Sequence, residues 1–168
     1  MDIKKELEIM KEIEAANKRH VEEWKKQQEA DKMLAVFVDV YGTGRVKKVR
    51  IRRDLDEYYR LLKCTTVDMP FRWIDGKQFV FICDDEGTFR KDCKPSARKG
   101  DEVMLVGNLL VVAFDGHEDI RGLTEDEVKH ILKHVTGLGR MDKRGAVDIW
   151  SVLTDVTYTR EGCKVHRI

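Results

Sequence analysis

The sequence lacks any apolar run that approaches the roughly 18 residues needed to cross a membrane. Its first ten residues, MDIKKELEIM, alternate charged with apolar side chains and so lack the continuous apolar core of a signal peptide. We therefore expect a cytoplasmic protein that does not associate with membranes.

Cysteine occurs four times but never as a CxxC pair. The positions are Cys64, Cys83, Cys93 and Cys163. This irregular spacing favours free, partly buried thiols over a disulfide framework or a cysteine metal site.

Motifs for catalysis and for cofactors are also missing. There is no G-x-S-x-G elbow and no P-loop, and the glycine pair in Tyr41-Gly-Thr-Gly44 lacks the third glycine and the following helix of a dinucleotide site. Residues 115–119, DGHED, contain acids and a histidine that titrates near neutrality, but we interpret them as a polar turn. We predict no enzyme activity and no cofactor, with a hydrolase as the least favoured alternative.

Charge is abundant but balanced. Charged residues make up 38% of the 168 residues, while the net charge is only +1. That balance argues against a polyanion that mimics DNA and against a basic coat for nucleic acid, although a local patch is compatible with it. The composition changes at Met33, which divides the chain into residues 1–32 and a globular domain of residues 33–168.

Residues 2–32 predict one long helix, because they contain no Gly or Pro and are rich in Lys, Glu, Gln and Ala. About 30 residues make a helix of roughly 45 Å, which would extend beyond a compact domain of this size. The helix is either a solvated element that packs through a single apolar stripe, or an arm for self-association or partner binding. The predicted interface residues are Leu7, Met10, Val21 and Trp24.

The globular domain begins with two predicted hairpins that enclose a helix. LAVFVDVYGTGRVKKVRI predicts two strands joined at residues 41–44, and VDMPFRWI and KQFVFICDD predict two more around Asp75-Gly76. Pro70 lacks an N–H, so its strand should be an edge strand or bulged there. Asp54 is the predicted N-cap of the helix between them, whose apolar face is Leu55, Tyr58, Tyr59 and Leu62.

Residues 101–135 predict the centre of the fold. The nearly continuous apolar run Val103–Phe114 predicts a central strand covered on both faces, with a bulge or a close backbone approach at Gly107-Asn108. Thr124 and Glu127 predict a capping box. The helix that follows is predicted to bury Val128, Ile131, Leu132 and Val135.

The remaining segments are less regular. Residues 86–100 predict a polar loop with Arg90, Lys91, Lys94, Arg98 and Lys99. Residues 149–156 fit either a helix or a strand, and the chain is predicted to close with a hairpin turning at Glu161-Gly162.

The segment RVKKVRIRR, residues 45–53, is the strongest charge feature. On a strand, Lys48, Arg50 and Arg52 would face one way and Val49 and Ile51 the core. Three cations in a row could hold phosphates, and Arg72 and Trp73 could add a stacking surface. A solvated strand face that guards against aggregation is the alternative.

His130 and His134 are four residues apart on the predicted helix, one turn after Glu127. This spacing can hold a transition metal, but no third ligand of known position accompanies it. We interpret both as surface histidines and predict no metal site.

The order of elements resembles a bacterial and phage family, a domain of unknown function common in phages, conjugative elements and gut Firmicutes. The resemblance covers about Leu34 to His134 and is carried by the apolar strand with its internal Gly107 and by Leu123-Thr-Glu-Asp-Glu127. It implies an accessory protein of a mobile element in a bacterial host and brings no catalytic residues.

We therefore expect an α+β fold with a mostly antiparallel sheet and two packing helices, preceded by a long N-terminal helix. The expected function is a non-enzymatic accessory binding protein that counters host defence by sequestering an anionic or nucleotide ligand. The alternatives are a protein–protein inhibitor or regulator that binds a host defence protein through the N-terminal helix, and a nucleic-acid-binding module. The ligand, the target and the oligomeric state stay open.

Overall fold

The structure is a computed structural model that describes residues 3–117, 119–141, 143–145 and 147–158. Its internal contacts divide the chain between Lys32 and Met33 into two compact units. The first unit is the helix α1, Ile3–Ala30. The described elements of the second unit are β1 Met33–Asp39, β2 Arg45–Ile51, α2 Leu55–Leu62, β3 Val67–Asp68, β4 Phe71–Ile74, β5 Lys77–Asp84, a 3-10 helix Gly87–Phe89, β6 Pro95–Lys99, β7 Glu102–Val106, β8 Leu109–Phe114, β9 Ile120–Arg121, α3 Glu125–Leu132, β10 Val135–Met141, β11 Val147–Leu153 and β12 Val156–Thr157.

Helix α1 confirms the long N-terminal helix. It is 28 residues long, and none of its described residues is buried. Its exposed apolar side chains include all four predicted interface residues, from Val21 at 48% to Met10 at 62% exposure.

The second unit contains two sheets within its described residues. The larger has the order β12-β4-β5-β8-β1-β2, with β3 added on β5 and β9 on β8, and the smaller has the order β10-β11-β6-β7. Neighbouring strands pair antiparallel, except that β11 and β6 meet in parallel at Leu153 and Ala97. The α+β fold class and the mostly antiparallel pairing are confirmed, with two sheets in place of one.

The larger sheet is covered on both faces. Alternate residues of β1 enter two separate core clusters, so that Val36 lies on one face and Phe37 on the other. The face of Val36 packs against the smaller sheet and α3, while the face of Phe37 packs against Tyr58 and Leu62 of α2. Each such buried side chain contributes about 1.5–3 kcal/mol, which explains the continuous apolar runs of the central strands.

The apolar run 103–114 is two strands, and the prediction of one central strand is wrong. β8 is central in the larger sheet, between β5 and β1, whereas β7 belongs to the smaller sheet. The chain changes sheets at Gly107, whose φ of 78° is left-handed. A Cβ on Gly107 would lie 3.3 Å from the Tyr41 hydroxyl, so the predicted close backbone approach is confirmed.

Both short helices begin as predicted, although their buried faces are narrower. The Asp54 carboxylate accepts a 2.8 Å hydrogen bond from the Glu57 backbone nitrogen, and Thr124 with Glu127 forms the capping box. Leu55 is 50% exposed and Leu132 is 36% exposed. Because α3 ends at Leu132, Val135 belongs to β10 and the prediction that it lies on the helix is wrong.

The structure confirms the predicted Asp75-Gly76 turn and the interruption at Pro70, and it corrects the predicted loop 86–100. Asp75 and Gly76 both have positive φ, 46° and 76°, as a tight hairpin turn requires. Pro70 lies between β3 and β4, which both pair with β5, so the predicted interruption is confirmed. The predicted polar loop 86–100 is partly wrong, since it contains a 3-10 helix and β6.

The structure decides one alternative that the sequence left open near the end of the chain. Residues 147–153 form the strand β11, which decides between helix and strand. The predicted turn at Glu161-Gly162 lies outside the described residues. Among the helices of the described chain, none is long and apolar enough to cross a membrane.

Candidate functional site

The basic strand predicted from the sequence is β2, at the edge of the larger sheet. Lys48 and Arg50 alternate with Val49 and Ile51, as predicted. Lys48 Nζ lies 3.2 Å from a carboxylate oxygen of Glu125.

Of its three predicted anion-binding cations, Lys48 and Arg52 lie near acids, and Arg50 does not among the residues that the structure describes. Arg52 follows the strand and lies 3.5 Å from both Asp54 and Glu57. Arg50 is exposed and has no ion-pair partner within the described part of the chain.

Arg72 and Trp73 lie on β4, away from the basic strand. Three strands, β5, β8 and β1, separate β4 from β2. At about 4.8 Å per strand, the distance along the sheet is roughly 19 Å. The Arg72 guanidinium lies over the Tyr158 ring at 4.8 Å and donates a 2.9 Å hydrogen bond to the Phe71 carbonyl. The predicted anion-binding residues therefore do not converge into one cluster.

A cleft of about 650 Å³ opens between the end of α2 and the segment after β5. Its volume is in the range of small-ligand sites. The lining residues are Tyr59, Arg60, Lys63, Cys64, Thr65, Asp84, Glu86, Phe89 and Arg90.

Arg90 holds the two walls of this cleft together. Its Nη1 donates a 2.7 Å hydrogen bond to the backbone carbonyl of Lys63 at the end of α2. The same guanidinium binds the Asp92 carboxylate at 3.0 and 3.2 Å and lies 3.8 Å from Asp84. The hydrogen bond from Arg90 lowers the pKa of Asp92. Because Arg90 is occupied by these partners, the other side chains of the cleft are the ones available to a ligand.

Phe89 is the most exposed large apolar side chain in the described part of the chain, at 86%. It ends the 3-10 helix Gly87–Phe89 that forms one wall of the cleft. Its exposure forgoes roughly the 1.5–3 kcal/mol that burial would contribute and leaves most of the ring accessible to a ligand.

Two exposed cations lie on the opposite wall. Lys63 is the C-cap of α2, with φ of 55°, and has no ion-pair partner among the residues that the structure describes. Arg60 lies one turn earlier and is 3.2 Å from Glu57. The cleft thus offers an aromatic ring, Lys63, and Arg60, which also pairs with Glu57. Of its acids, Asp84 is paired to Arg90, and Glu86 adds a further carboxylate to the lining.

Cys64 also lines the cleft, and its thiol is poorly suited to nucleophilic work. Burial raises the pKa of Cys64 to about 11 and that of Cys83 to about 12. A thiolate is the reactive form, so both are inert near neutral pH. Cys64, Cys83 and Cys93 are free, as predicted, and Cys163 lies outside the described residues.

The two histidines of α3 have a third neighbour that the sequence did not indicate. Asp75, His130 and His134 each place a ligand-type atom within 4.8 Å of the others. Glu127, the sequence-predicted neighbour, instead forms the capping box and a bidentate pair with Arg121 at 2.7 and 2.9 Å.

The turn after β8 is a hydrogen-bonded loop, as interpreted from the sequence. The Asp115 carboxylate accepts hydrogen bonds from the backbone nitrogens of His117 at 2.7 Å and Asp119 at 3.2 Å. The hydrogen bond from the His117 backbone lowers the pKa of Asp115 and so favours its ionised form.

Sequence reasoning missed Phe89 and Asp75. Phe89 lies in a segment interpreted as a polar loop, where a lone aromatic residue was the available signal. Asp75 is 55 residues before His130, and only the packing of α3 on the β4–β5 turn brings them together.

A family model described as a domain of unknown function, DUF3846, matches residues 33–136. The chain belongs to this family. Searches of the curated proteins and of the solved structures each found no match. The DUF3846 region runs from β1 into the start of β10, so it includes the cleft, Asp75 and both histidines. It includes β6 and β7 of the smaller sheet, ends before most of β10 and all of β11, and excludes α1.

Proposed function

We propose that this DUF3846 protein is a non-enzymatic binding protein for a small anionic ligand with an aromatic ring, such as a nucleotide. The ligand binds in the cleft between α2 and the 3-10 helix. The observation that carries the proposal is Phe89, an 86% exposed phenyl ring on the wall of a cleft that also contains Lys63 and Arg60.

The chemistry of the cleft supports this ligand class. A base stacked on an aromatic side chain gains about 1–3 kcal/mol, and the gain does not depend on which base it is. Lys63 and Arg60 lie on the other wall and can neutralise a phosphate group. The raised thiol pKa of Cys64 agrees with binding in place of covalent chemistry.

Sequestration of a nucleotide signal in counter-defence is the biological form of this proposal. That form, together with an origin in a phage or another mobile element, is supported by the resemblance of residues 34–134 alone. A protein that sequesters its ligand releases it chemically unchanged, in contrast to a hydrolase.

Calorimetric titration with adenine and guanine mono-, tri- and cyclic dinucleotides tests the cleft. We expect one ligand per cleft, with affinity falling at least about tenfold in Phe89→Ala and in Lys63→Glu. Leu55→Ala, a half-exposed apolar residue of α2, is the control for Phe89. Arg50→Glu, an exposed cation on β2, is the control for the charge reversal.

The control variants also decide the alternatives. If Arg50→Glu loses binding while Phe89→Ala binds like the wild type, the ligand site lies on the basic strand. Binding of a single-stranded oligonucleotide that weakens steeply with salt, with no nucleotide bound, would favour a nucleic-acid module. Recovery of a cleaved nucleotide would show an enzyme.

A second candidate function is self-association through α1. The helix is about 42 Å long and exposes the predicted interface residues Leu7, Met10, Val21 and Trp24. At 100° per residue these lie on one side, together with Ile3, Ile9 and Ile13, which are 52–74% exposed.

The charges of α1 permit two copies to meet. Its basic residues, Lys4, Lys5, Lys11, Lys18, Arg19, Lys25 and Lys26, equal in number its acidic residues, Glu6, Glu8, Glu12, Glu14, Glu22, Glu23 and Glu29. The helix is therefore neutral and two copies have no net repulsion.

Light scattering of full-length protein tests the arm. We expect a dimer or larger species that becomes a monomer in the double variant Leu7→Glu/Trp24→Glu. Ala15→Glu adds a negative charge to the opposite side of the helix and should leave the mass unchanged. A monomeric wild-type protein would exclude self-association and leave binding to another protein as the role of α1.

A further inference from the structure

We propose that Asp75, His130 and His134 form a binding site for a divalent transition-metal ion, with zinc as the ion that suits these ligands. Their ligand-type atoms lie within 4.8 Å of one another. Two imidazoles and one carboxylate are an established zinc donor set that leaves a coordination position open.

The hydrogen bond of His130 selects its metal-binding nitrogen. His130 Nε2 lies 2.8 Å from the backbone carbonyl oxygen of Ile74, which can only accept a hydrogen bond. Nε2 therefore carries the ring proton, and Nδ1 keeps its lone pair. Metal-bound histidines commonly donate their other N–H to a carbonyl in this way, which fixes the tautomer and the ring orientation.

The backbone holds the other two residues in place. The carbonyl of His134 accepts hydrogen bonds from the Thr154 backbone nitrogen at 2.7 Å and from its hydroxyl at 3.0 Å. Asp75 lies in the tight turn between β4 and β5, next to Ile74, whose carbonyl binds His130. The β4–β5 turn presents Asp75, α3 presents His130, and the short connection between α3 and β10 presents His134.

A rotation of the Asp75 side chain brings one pair of ligands to the separation that zinc requires. His134 Nε2 lies 3.9 Å from Asp75 Oδ2, whereas ligands of a tetrahedral zinc lie about 3.3 Å apart. The Asp75 side chain is 72% exposed and can rotate by that amount without disturbing the core. The histidines are half-buried, and their ring centroids lie 5.8 Å apart.

The local dipole also favours a cation. His130 lies in the last turn of α3, and His134 follows the end of that helix. The carbonyl end of a helix carries partial negative charge and stabilises a nearby positive ion. A bound metal would link the β4–β5 turn to α3 and so stabilise the folded domain.

Titration of metal-free, full-length protein with Zn²⁺ and with Co²⁺ tests the site. We expect one ion per chain and a rise in Tm with Zn²⁺. The absorption spectrum of the Co²⁺ form should be that of a cobalt ion with few ligands, bound by nitrogen and oxygen. Affinity should fall at least about 100-fold in His134→Gln and in Asp75→Asn. Asparagine accepts the positive φ of Asp75, so the second variant keeps the turn intact.

Two control variants show where any bound ion lies. His117→Ala removes an exposed histidine of the turn after β8, and His166→Ala removes one outside the described residues. Both should bind zinc like the wild type. The proposal is overturned if the protein binds no Zn²⁺, if binding survives both His134→Gln and Asp75→Asn, or if His166→Ala abolishes it.

Discussion

The side-chain amide of Asn108 donates a 3.0 Å hydrogen bond to the backbone carbonyl of Leu61 in α2. Its carbonyl oxygen accepts a 3.0 Å hydrogen bond from the backbone nitrogen of Tyr41. Asn108 is fully buried, at the point where the chain leaves the smaller sheet and enters β8. One side chain thus joins the start of β8, the β1–β2 turn and the helix that forms a wall of the cleft.

Asn108→Ala is expected to lower the free energy of unfolding by about 3 kcal/mol, because it removes two hydrogen bonds and leaves buried backbone groups unpaired. Urea unfolding measures this loss. Asn17→Ala, at an exposed position of α1, should cost little. A loss below about 1 kcal/mol would show that water replaces the amide.

Gly107→Ala and Gly76→Ala separate backbone strain from steric contact. Both glycines have positive φ, 78° at Gly107 and 76° at Gly76, but a Cβ at Gly76 meets nothing within 4 Å. A Cβ at Gly107 lies 3.3 Å from the Tyr41 hydroxyl. We expect a cost of about 1 kcal/mol for Gly76→Ala and a larger one for Gly107→Ala. Equal losses in thermal unfolding would contradict a role for the contact.

Glu127→Gln tests the charge of the α3 capping box. The hydrogen bond from Arg121 lowers the pKa of Glu127 below its usual 4.5. Its stabilisation is therefore present above that usual value and is lost as the pH falls through the folded-state pKa.

We expect Glu127→Gln to be about 0.5–1 kcal/mol less stable than the wild type near pH 7, and equally stable well below pH 4.5. Urea unfolding across this range measures the difference. Asp126→Asn, an exposed acid of the same helical turn with no ion-pair partner among the described residues, is the control. A difference that does not change with pH would contradict the ion pair.

The thiols should differ in their rate of alkylation. Burial raises the pKa of Cys64 to about 11 and that of Cys83 to about 12, whereas Cys93 is exposed. Iodoacetamide at mildly alkaline pH should label Cys93 first and Cys83 last, as measured by peptide mass spectrometry. Cys83 should react as fast as Cys93 in urea. Early labelling of Cys83 in the folded protein would show that β5 opens locally.

Local chemistry made several elements predictable. Asp54 and Thr124 were recognisable as N-caps because a short oxygen-bearing side chain satisfies the free N–H groups of the first helical turn. Asp75-Gly76 was recognisable as a turn because both residues accept positive φ. The alternation of Lys48 and Arg50 with Val49 and Ile51 was likewise visible from the period of a strand.

Other elements depended on distant partners. The run 103–114 is nearly continuously apolar because β8 is buried and β7 packs partly against the core, and periodicity alone cannot show that they belong to different sheets. Val135 was assigned to a helix because its spacing fits, yet pairing with Leu153 draws it into β10. The predicted anion-binding residues were grouped by residue type, whereas the strand order separates Arg72 and Trp73 on β4 from the basic strand β2 by three strands.

The sequence by itself determined the long N-terminal helix, the caps, the turns and the α+β class, since each depends on interactions within a few residues of chain. The tertiary structure alone decided which distant side chains lie near one another. Phe89 lies near Lys63 because the next residue, Arg90, binds the Lys63 carbonyl 27 residues away. Asp75 lies near His130 because the preceding residue, Ile74, binds that histidine 56 residues away. Such meetings depend on how strands are ordered and helices packed, which local preference does not specify.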